Sequence, residues 1–173
     1  MLLNLTDIVT SEGKTEEKKI SYEKDVFGGI HGNFPIKEKS QIVLKLQNEG
    51  KGKVLVEGSF DLTLEMNCNR CLKEVAVPIH VSISELITEE NMGSPTSADE
   101  FPFLNGYQLD VDEMIGNEIL INLPMKVLCD ENCKGICKKC GTDLNLGECD
   151  CDTFVPDPRM AVLKDIFNAN KEV

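Results

Sequence analysis

The eight cysteines of this 173-residue chain constrain its fold more than any other feature. Cys68 and Cys71 stand as a pair near the middle, while Cys129, Cys133, Cys137, Cys140, Cys149 and Cys151 crowd into the C-terminal part. Clustered thiols become disulfides in an oxidising compartment and metal ligands in a reducing one. The segment from Met1 to Thr10 has a short apolar run broken by Asp7, with no basic leader and no small-residue cleavage site. It does not read as a signal peptide. No stretch approaches the roughly 18 apolar residues of a membrane span. The expected setting is the cytoplasm, with reduced thiols available to a metal.

Cys68-Asn69-Arg70-Cys71 lies between two runs of alternating apolar and polar residues, which places this C-x-x-C at the tip of a β-hairpin. A knuckle there turns two thiolates to one side, at a spacing suited to tetrahedral zinc with bonds of about 2.3 Å. A thioredoxin-type redox pair would need a helix N-terminus to depress a thiol pKa, and nothing here supplies one. Further on, Cys137-Lys138-Lys139-Cys140-Gly141 is followed by Leu144, Leu146, Gly147 and Cys149-Asp150-Cys151. This has the form of a zinc ribbon, in which glycine after the second ligand lets backbone amides turn toward sulfur. Eight thiols suggest two all-cysteine sites and two zinc ions per chain.

Sequence alone leaves the partition of the ligands open. Grouping by proximity takes Cys137, Cys140, Cys149 and Cys151 as one site and sends Cys68 and Cys71 to join Cys129 and Cys133. The long closure this needs is tolerable because loop entropy grows only logarithmically. Closed sites have no open position for activating water, so their expected role is to fold segments too small to fold alone, at about 10 kcal/mol of apparent folding free energy. Cys133, Cys137 and Cys140 also match the spacing by which radical-SAM enzymes hold an iron–sulfur cluster. Those enzymes need a large partial barrel that this chain has no room to build, and Lys139 stands where an aromatic is common.

Val and Ile together number 26 against four Ala, a balance that favours sheet. Val54, Val56, Phe60, Leu62, Leu64 and Met66 share one parity, with Gly58 in the remaining slot. Val75, Val77, Ile79, Val81 and Ile83 repeat the pattern, and Ile42, Leu44 and Leu46 precede a turn at residues 48–52. The expected class is α+β: a curled antiparallel sheet with two short helices and a C-terminal zinc-ribbon-like element. Pro78 points to an edge or a bulge in the last strand. The first forty residues give no clear pattern beyond turns or a bulge at Gly28-Gly29 and Gly32. Residues 89–107 read as a loop.

A helix over about 110–123 follows, with Asp110 as N-cap, Glu113 three residues on, a stripe of Val111, Ile115, Ile119 and Leu123, and Pro124 as stop. A second helix is expected near the end, capped by Asp157, with Pro158 first and Met160, Leu163, Ile166 and Phe167 on one side. The expected division is a β-rich domain over 1–124, a cysteine-rich element over 125–155 and a C-terminal helix over 156–173.

The 30 acids outnumber the 18 Lys and Arg, and the excess is uneven. Residues 1–60 are neutral, whereas between Lys73 and Lys126 there are ten acids and no Lys or Arg. This argues against a protein that grips phosphate backbones, and reads either as a solvated face or as a surface for a basic partner. Lys134, Lys138 and Lys139 on the C-terminal knuckle, with Arg70 in the first, are the candidate RNA contacts, partly offset by the negative charge of each thiolate centre. His31 and His80 belong to no catalytic motif. Nucleophile elbow, phosphate loop and dinucleotide fingerprint are all missing from the sequence. Asp110, Asp112 and Glu113 are explained by helix capping. No active site and no small-molecule substrate are expected.

The ordered combination of Cys68-Asn69-Arg70-Cys71-Leu72, the acidic loop, Leu109 to Glu113 leading to Ile119-Leu120-Ile121-Asn122-Leu123-Pro124, the cysteine string from Cys129 to Cys151, and Asp157-Pro158-Arg159 resembles the YceD family. The full C-terminal cysteine set is more like Gram-positive members; enteric ones keep only the first C-x-x-C. The resemblance implies a metal-binding protein in large-subunit rRNA accumulation, with no catalytic residues to carry over. Combined with the acidic charge, it points to a non-enzymatic factor in large ribosomal subunit biogenesis that binds a ribosomal protein or a processing factor. A direct zinc-knuckle RNA-binding module and a redox or metal-handling protein are the alternative readings.

Overall fold

The alternating runs form the two longest strands, β6 (Lys53–Asn67) and β7 (Glu74–Thr88). The structure, a computed structural model, describes residues 1–29, 32–93 and 101–151. β6 and β7 pair antiparallel from Lys53↔Thr88 to Asn67↔Glu74. The opposite edge of β6 is shared: β5 (Ile42–Gly50) covers its first half and β4 (Gly32–Lys39) its second. Ser40 splices the two. Its N–H donates to the Asp61 carbonyl at 2.9 Å, and its Oγ accepts from the Asp61 N–H at 2.9 Å. β2 (Thr15–Ile20) pairs with β5 and β3 (Val26–Gly29) with β4, completing a six-stranded antiparallel sheet that does not close.

A second, three-stranded sheet joins β1 (Leu2–Asn4), β9 (Gln108–Asp110) and β8 (Leu104–Asn105). The helices are α1 (Thr6–Val9), α2 (Glu89–Gly93) and α3 (Val111–Asn122). The core follows the parity of the sequence: Val54, Val56, Phe60, Leu62 and Leu64 of β6 and Ile79, Val81, Ile83 and Ile87 of β7 are buried. Val111, Met114, Ile115 and Ile119 of α3 join the same core. At Gly58 a Cβ would sit 2.7 Å from Leu44 Cδ2 and 2.9 Å from the Val43 carbonyl, so a side chain there would push β5 away. Pro78 faces Thr63 in β7, which has one strand neighbour among the described residues, the edge setting that proline requires.

Asp110 caps α3 as expected, its carboxylate accepting from the N–H groups of Asp112 at 3.0 Å and Glu113 at 3.4 Å. The second expected helix lies outside the described residues. The described residues carry three helices in all, and two of them, α1 and α2, are additional to the expected ones. With four and five residues, neither is long enough to display a helical period. The stretch read as a loop over 89–107 contains, in its described part, α2 and the β8–β9 turn; just before β8, Phe103 is buried and stacks edge-on to Phe101 at 5.7 Å. Asn48, assigned to a turn, is buried at the end of β5. Its Nδ2 donates to the carbonyls of Ile8 at 2.6 Å and Val9 at 2.9 Å, pinning the end of α1 to the sheet. Among the described residues, no helix is long and apolar enough to cross a membrane.

Candidate metal centres

The turn between β6 and β7 is a knuckle closed by its own backbone. Cys68 N–H donates to the Lys73 carbonyl at 2.7 Å, Leu72 N–H to the Cys68 carbonyl at 3.0 Å, and Arg70 N–H to Cys68 Sγ at 3.4 Å. The second knuckle repeats this bond for bond. Cys137 N–H donates to the Thr142 carbonyl at 2.8 Å, Gly141 N–H to the Cys137 carbonyl at 2.9 Å, and Lys139 N–H to Cys137 Sγ at 3.5 Å. In both, the residue after the second cysteine has positive φ, 75° at Gly141 and 63° at Leu72. Glycine adopts that conformation freely, so Leu72 carries backbone strain that Gly141 avoids.

Each knuckle receives two more thiols. Asn69 pairs with Val127 in both directions, its N–H donating to the Val127 carbonyl at 2.8 Å and its Oδ1 accepting from the Val127 N–H at 2.8 Å. This clasp brings Cys129 to the hairpin tip, where its Sγ lies 3.4 Å from that of Cys71, while Cys133 Sγ lies 3.9 Å from that of Cys68. Cys68, Cys71, Cys129 and Cys133 form one tetrad, and Cys137, Cys140, Cys149 and Cys151 form the other, with all sulfurs of a tetrad within 4.8 Å of one another. A tetrahedral cation with bonds of about 2.3 Å sets its sulfurs about 3.8 Å apart, so the donor set and its spacing fit such an ion. The grouping is the one expected from proximity in sequence. All eight cysteines are free thiols.

The crowded thiols of each tetrad titrate unequally. Burial opposes the Cys68 thiolate, but N–H groups of Cys71, Arg70 and Cys129 outweigh it and hold the thiol at about 6. Its partner Cys129, crowded by the Cys71 and Cys133 thiols and by burial, is pushed up to about 12. In the second tetrad Thr142, through hydroxyl and backbone, holds Cys140 at about 6, whereas Cys140 itself and then burial push Cys151 up to about 12. Four thiolates cannot share so small a volume unless a positive ion neutralises them. The tetrads differ in access: Cys68, Cys71 and Cys133 are buried, while Cys140 is exposed and Cys149 and Cys151 are half-buried.

All four candidate RNA contacts lie at the surface. Arg70 turns back onto the cysteine-rich segment, its guanidinium donating to the carbonyls of Cys133 at 2.6 Å and Glu131 at 3.5 Å. Lys134, Lys138 and Lys139 are exposed. Spacing rules gave no sign of Asn69 or of Gly135. Gly135 has φ 81° and passes so close to the first knuckle that a Cβ would lie 2.9 Å from the Arg70 carbonyl oxygen. A glycine between two cysteines was the available signal, but only the packing shows what it touches.

An open antiparallel sheet, with its longest hairpin ending in a cysteine knuckle and a cysteine-rich segment completing two tetrads, defines a class of sheet protein with two candidate metal centres. The family described as "Large ribosomal RNA subunit accumulation protein YceD" matches residues 56–167, and the chain belongs to it. It is 26% identical over 129 residues to the Arabidopsis thaliana protein "Large ribosomal RNA subunit accumulation protein YCED homolog 1, chloroplastic", covering 58% of this chain and 40% of that one. An uncharacterised protein of Mycobacterium tuberculosis is 27% identical over 103 residues, covering 58% of this chain and 49% of its own. One of Mycobacterium leprae is 28% identical over 93 residues, covering 53% and 43%. The chain thus spans less than half the length of these relatives. No solved structure matches it.

Proposed function

We propose that the protein is a non-enzymatic, cytoplasmic zinc protein that supports accumulation of large-subunit rRNA by binding a basic ribosomal protein or a processing factor. Family membership supports the process, and the all-thiolate tetrads support zinc, which favours four cysteine sulfurs in a closed tetrahedral site. When bound, the metal supplies folding free energy to the C-terminal segment and leaves no position for water. The observation that carries the partner is an acidic seam where α3 meets β7. Burial and the neighbouring Glu85 carboxylate raise the Glu118 pKa, so two carboxylates face each other there. Among the described residues, neither of these two has an ion-pair partner. A Lys/Arg-rich protein surface would neutralise them.

The test is metal content by mass spectrometry on natively purified protein, with co-purifying partners identified in the same preparation. The expected result is two zinc ions per chain, matching the two tetrads, and a basic large-subunit protein that is lost from the Glu85→Lys/Glu118→Lys variant while zinc is retained. Iron or no metal would overturn the zinc assignment, and unchanged capture by the variant would overturn the acidic seam as the docking surface. The three exposed lysines of the cysteine-rich segment favour a second reading, direct RNA contact. In that case affinity for rRNA falls steeply with salt and is abolished by replacing Lys134, Lys138 and Lys139.

A further inference from the structure

The loop that joins the two halves of the second tetrad is folded onto the first. Asn145 lies between Cys140 and Cys149 in sequence, yet its Nδ2 donates to Cys133 Sγ at 3.4 Å. The orientation of its amide is fixed from both ends. Oδ1 accepts from the Lys134 N–H at 2.7 Å, and Nδ2 also donates to Asp143 Oδ1 at 2.7 Å. A flipped amide would set oxygen against sulfur and lose both bonds. Asp143 in turn pairs with Lys73 at 3.2 Å, beside the first knuckle. Leu144 N–H donates to the Gly135 carbonyl at 2.9 Å, and Ile136 and Asp143 form an isolated bridge.

We propose that Asn145 is an outer-sphere donor to the first metal centre, supplied by the loop of the second, so that the two centres bind metal cooperatively. The inference rests on the two-site reading above. An N–H directed at a metal-bound thiolate orients the sulfur and spreads its charge, and loss of such a partner costs about 10- to 100-fold in metal affinity. The Asn145 loop runs between Cys140 and Cys149, so it is drawn into place when those ligands converge on one ion. Coupling of this kind is reciprocal: filling either centre tightens the other by the same factor.

The experiment is cobalt(II) titration of the full chain against a competing chelator, read from thiolate-to-cobalt absorbance. Cys68→Ser/Cys71→Ser, which leaves only the second centre, assigns the signals. Cys149→Ser/Cys151→Ser and Asn145→Ala are each expected to weaken the first centre by about 10- to 100-fold. Their combination should weaken it no further, and Asn145→Ala should shift the charge-transfer band of the first centre. Amide exchange of β6 and β7 shows that the sheet is intact; because Asn145 is exposed, its variant keeps the test open if the double cysteine variant misfolds. An unchanged first centre in Cys149→Ser/Cys151→Ser would overturn the coupling, and additive losses would overturn Asn145 as its carrier. Failure of the two-site reading looks different: the native chain would then take up fewer than two cobalt ions.

Discussion

Replacing Gly135 by alanine tests whether the first metal centre depends on the close passage of the cysteine-rich segment over the hairpin knuckle. Gly135 has φ 81°, and its added Cβ would lie 2.9 Å from the Arg70 carbonyl oxygen, 3.3 Å from Arg70 Cβ and 3.4 Å from the Arg70 carbonyl carbon. The nearest obstacle is backbone inside a hydrogen-bonded knuckle, so it cannot swing aside as a flexible side chain would. A left-handed conformation costs an L-residue about 1–2 kcal/mol, overpacking adds about 1–3 kcal/mol, and the stiffer unfolded chain returns about 0.4–1 kcal/mol. At the middle of each range the net is a loss of about 3 kcal/mol from the closed arrangement, or about 100-fold in zinc affinity at about 1.4 kcal/mol per tenfold. Chelator competition at fixed pH reads this directly. Gly147→Ala is the control, since nothing lies within 4 Å of a Cβ there. If Gly135→Ala binds zinc at the first centre as tightly as the native chain, or if Gly147→Ala loses as much, the reasoning is wrong.

Two further outcomes follow from the fold and the thiols. Asn48→Leu removes the donors to the Ile8 and Val9 carbonyls and the acceptor for the Gly50 N–H; the expected cost is about 2–4 kcal/mol in urea unfolding with zinc content unchanged, and a loss below about 1 kcal/mol would contradict it. Metal affinity is expected to rise with pH. Cys68 and Cys140, held at about 6, are thiolates above that value and are lost as pH falls through it, while Cys129 and Cys151, pushed up to about 12, stay protonated at neutral pH until a metal displaces the proton. Calorimetry at pH 7.5 in two buffers of different ionisation enthalpy should register release of at least about one proton per centre, and none would refute the assignment.

What the sequence made legible was what periodicity and spacing encode. The parity of β6 and β7 placed Val56, Leu64, Val81 and Ile83 in the core, and the two C-x-x-C pairs located the knuckles and their partners. The misses have physical causes. β2 reads Thr-Glu-Glu-Lys-Lys-Ile, with only Ile20 buried, because it forms a sheet edge where charge protects against further pairing. Asn69, Asn145 and Gly135 act through contacts with residues distant in sequence, and an asparagine or glycine at such a site is identical in print to one in any loop. Arg70 belongs with them: it is exposed, and one nitrogen of its guanidinium donates to the Cys133 and Glu131 carbonyls, a contact across about sixty residues that spacing does not show.

The clasp that brings Cys129 to the hairpin tip also carries a consequence for synthesis. Cys71 and Cys129 are 58 residues apart, which a ribosome adding about 5–20 residues per second takes about 3–12 s to bridge. Throughout that interval the first knuckle has emerged with two thiols and no means of completing a four-sulfur shell. The nascent sheet therefore has to hold its shape on local pairing, and the hairpin of two 15-residue strands is suited to that. An ion taken up by the first tetrad would arrive last, on a sheet already formed.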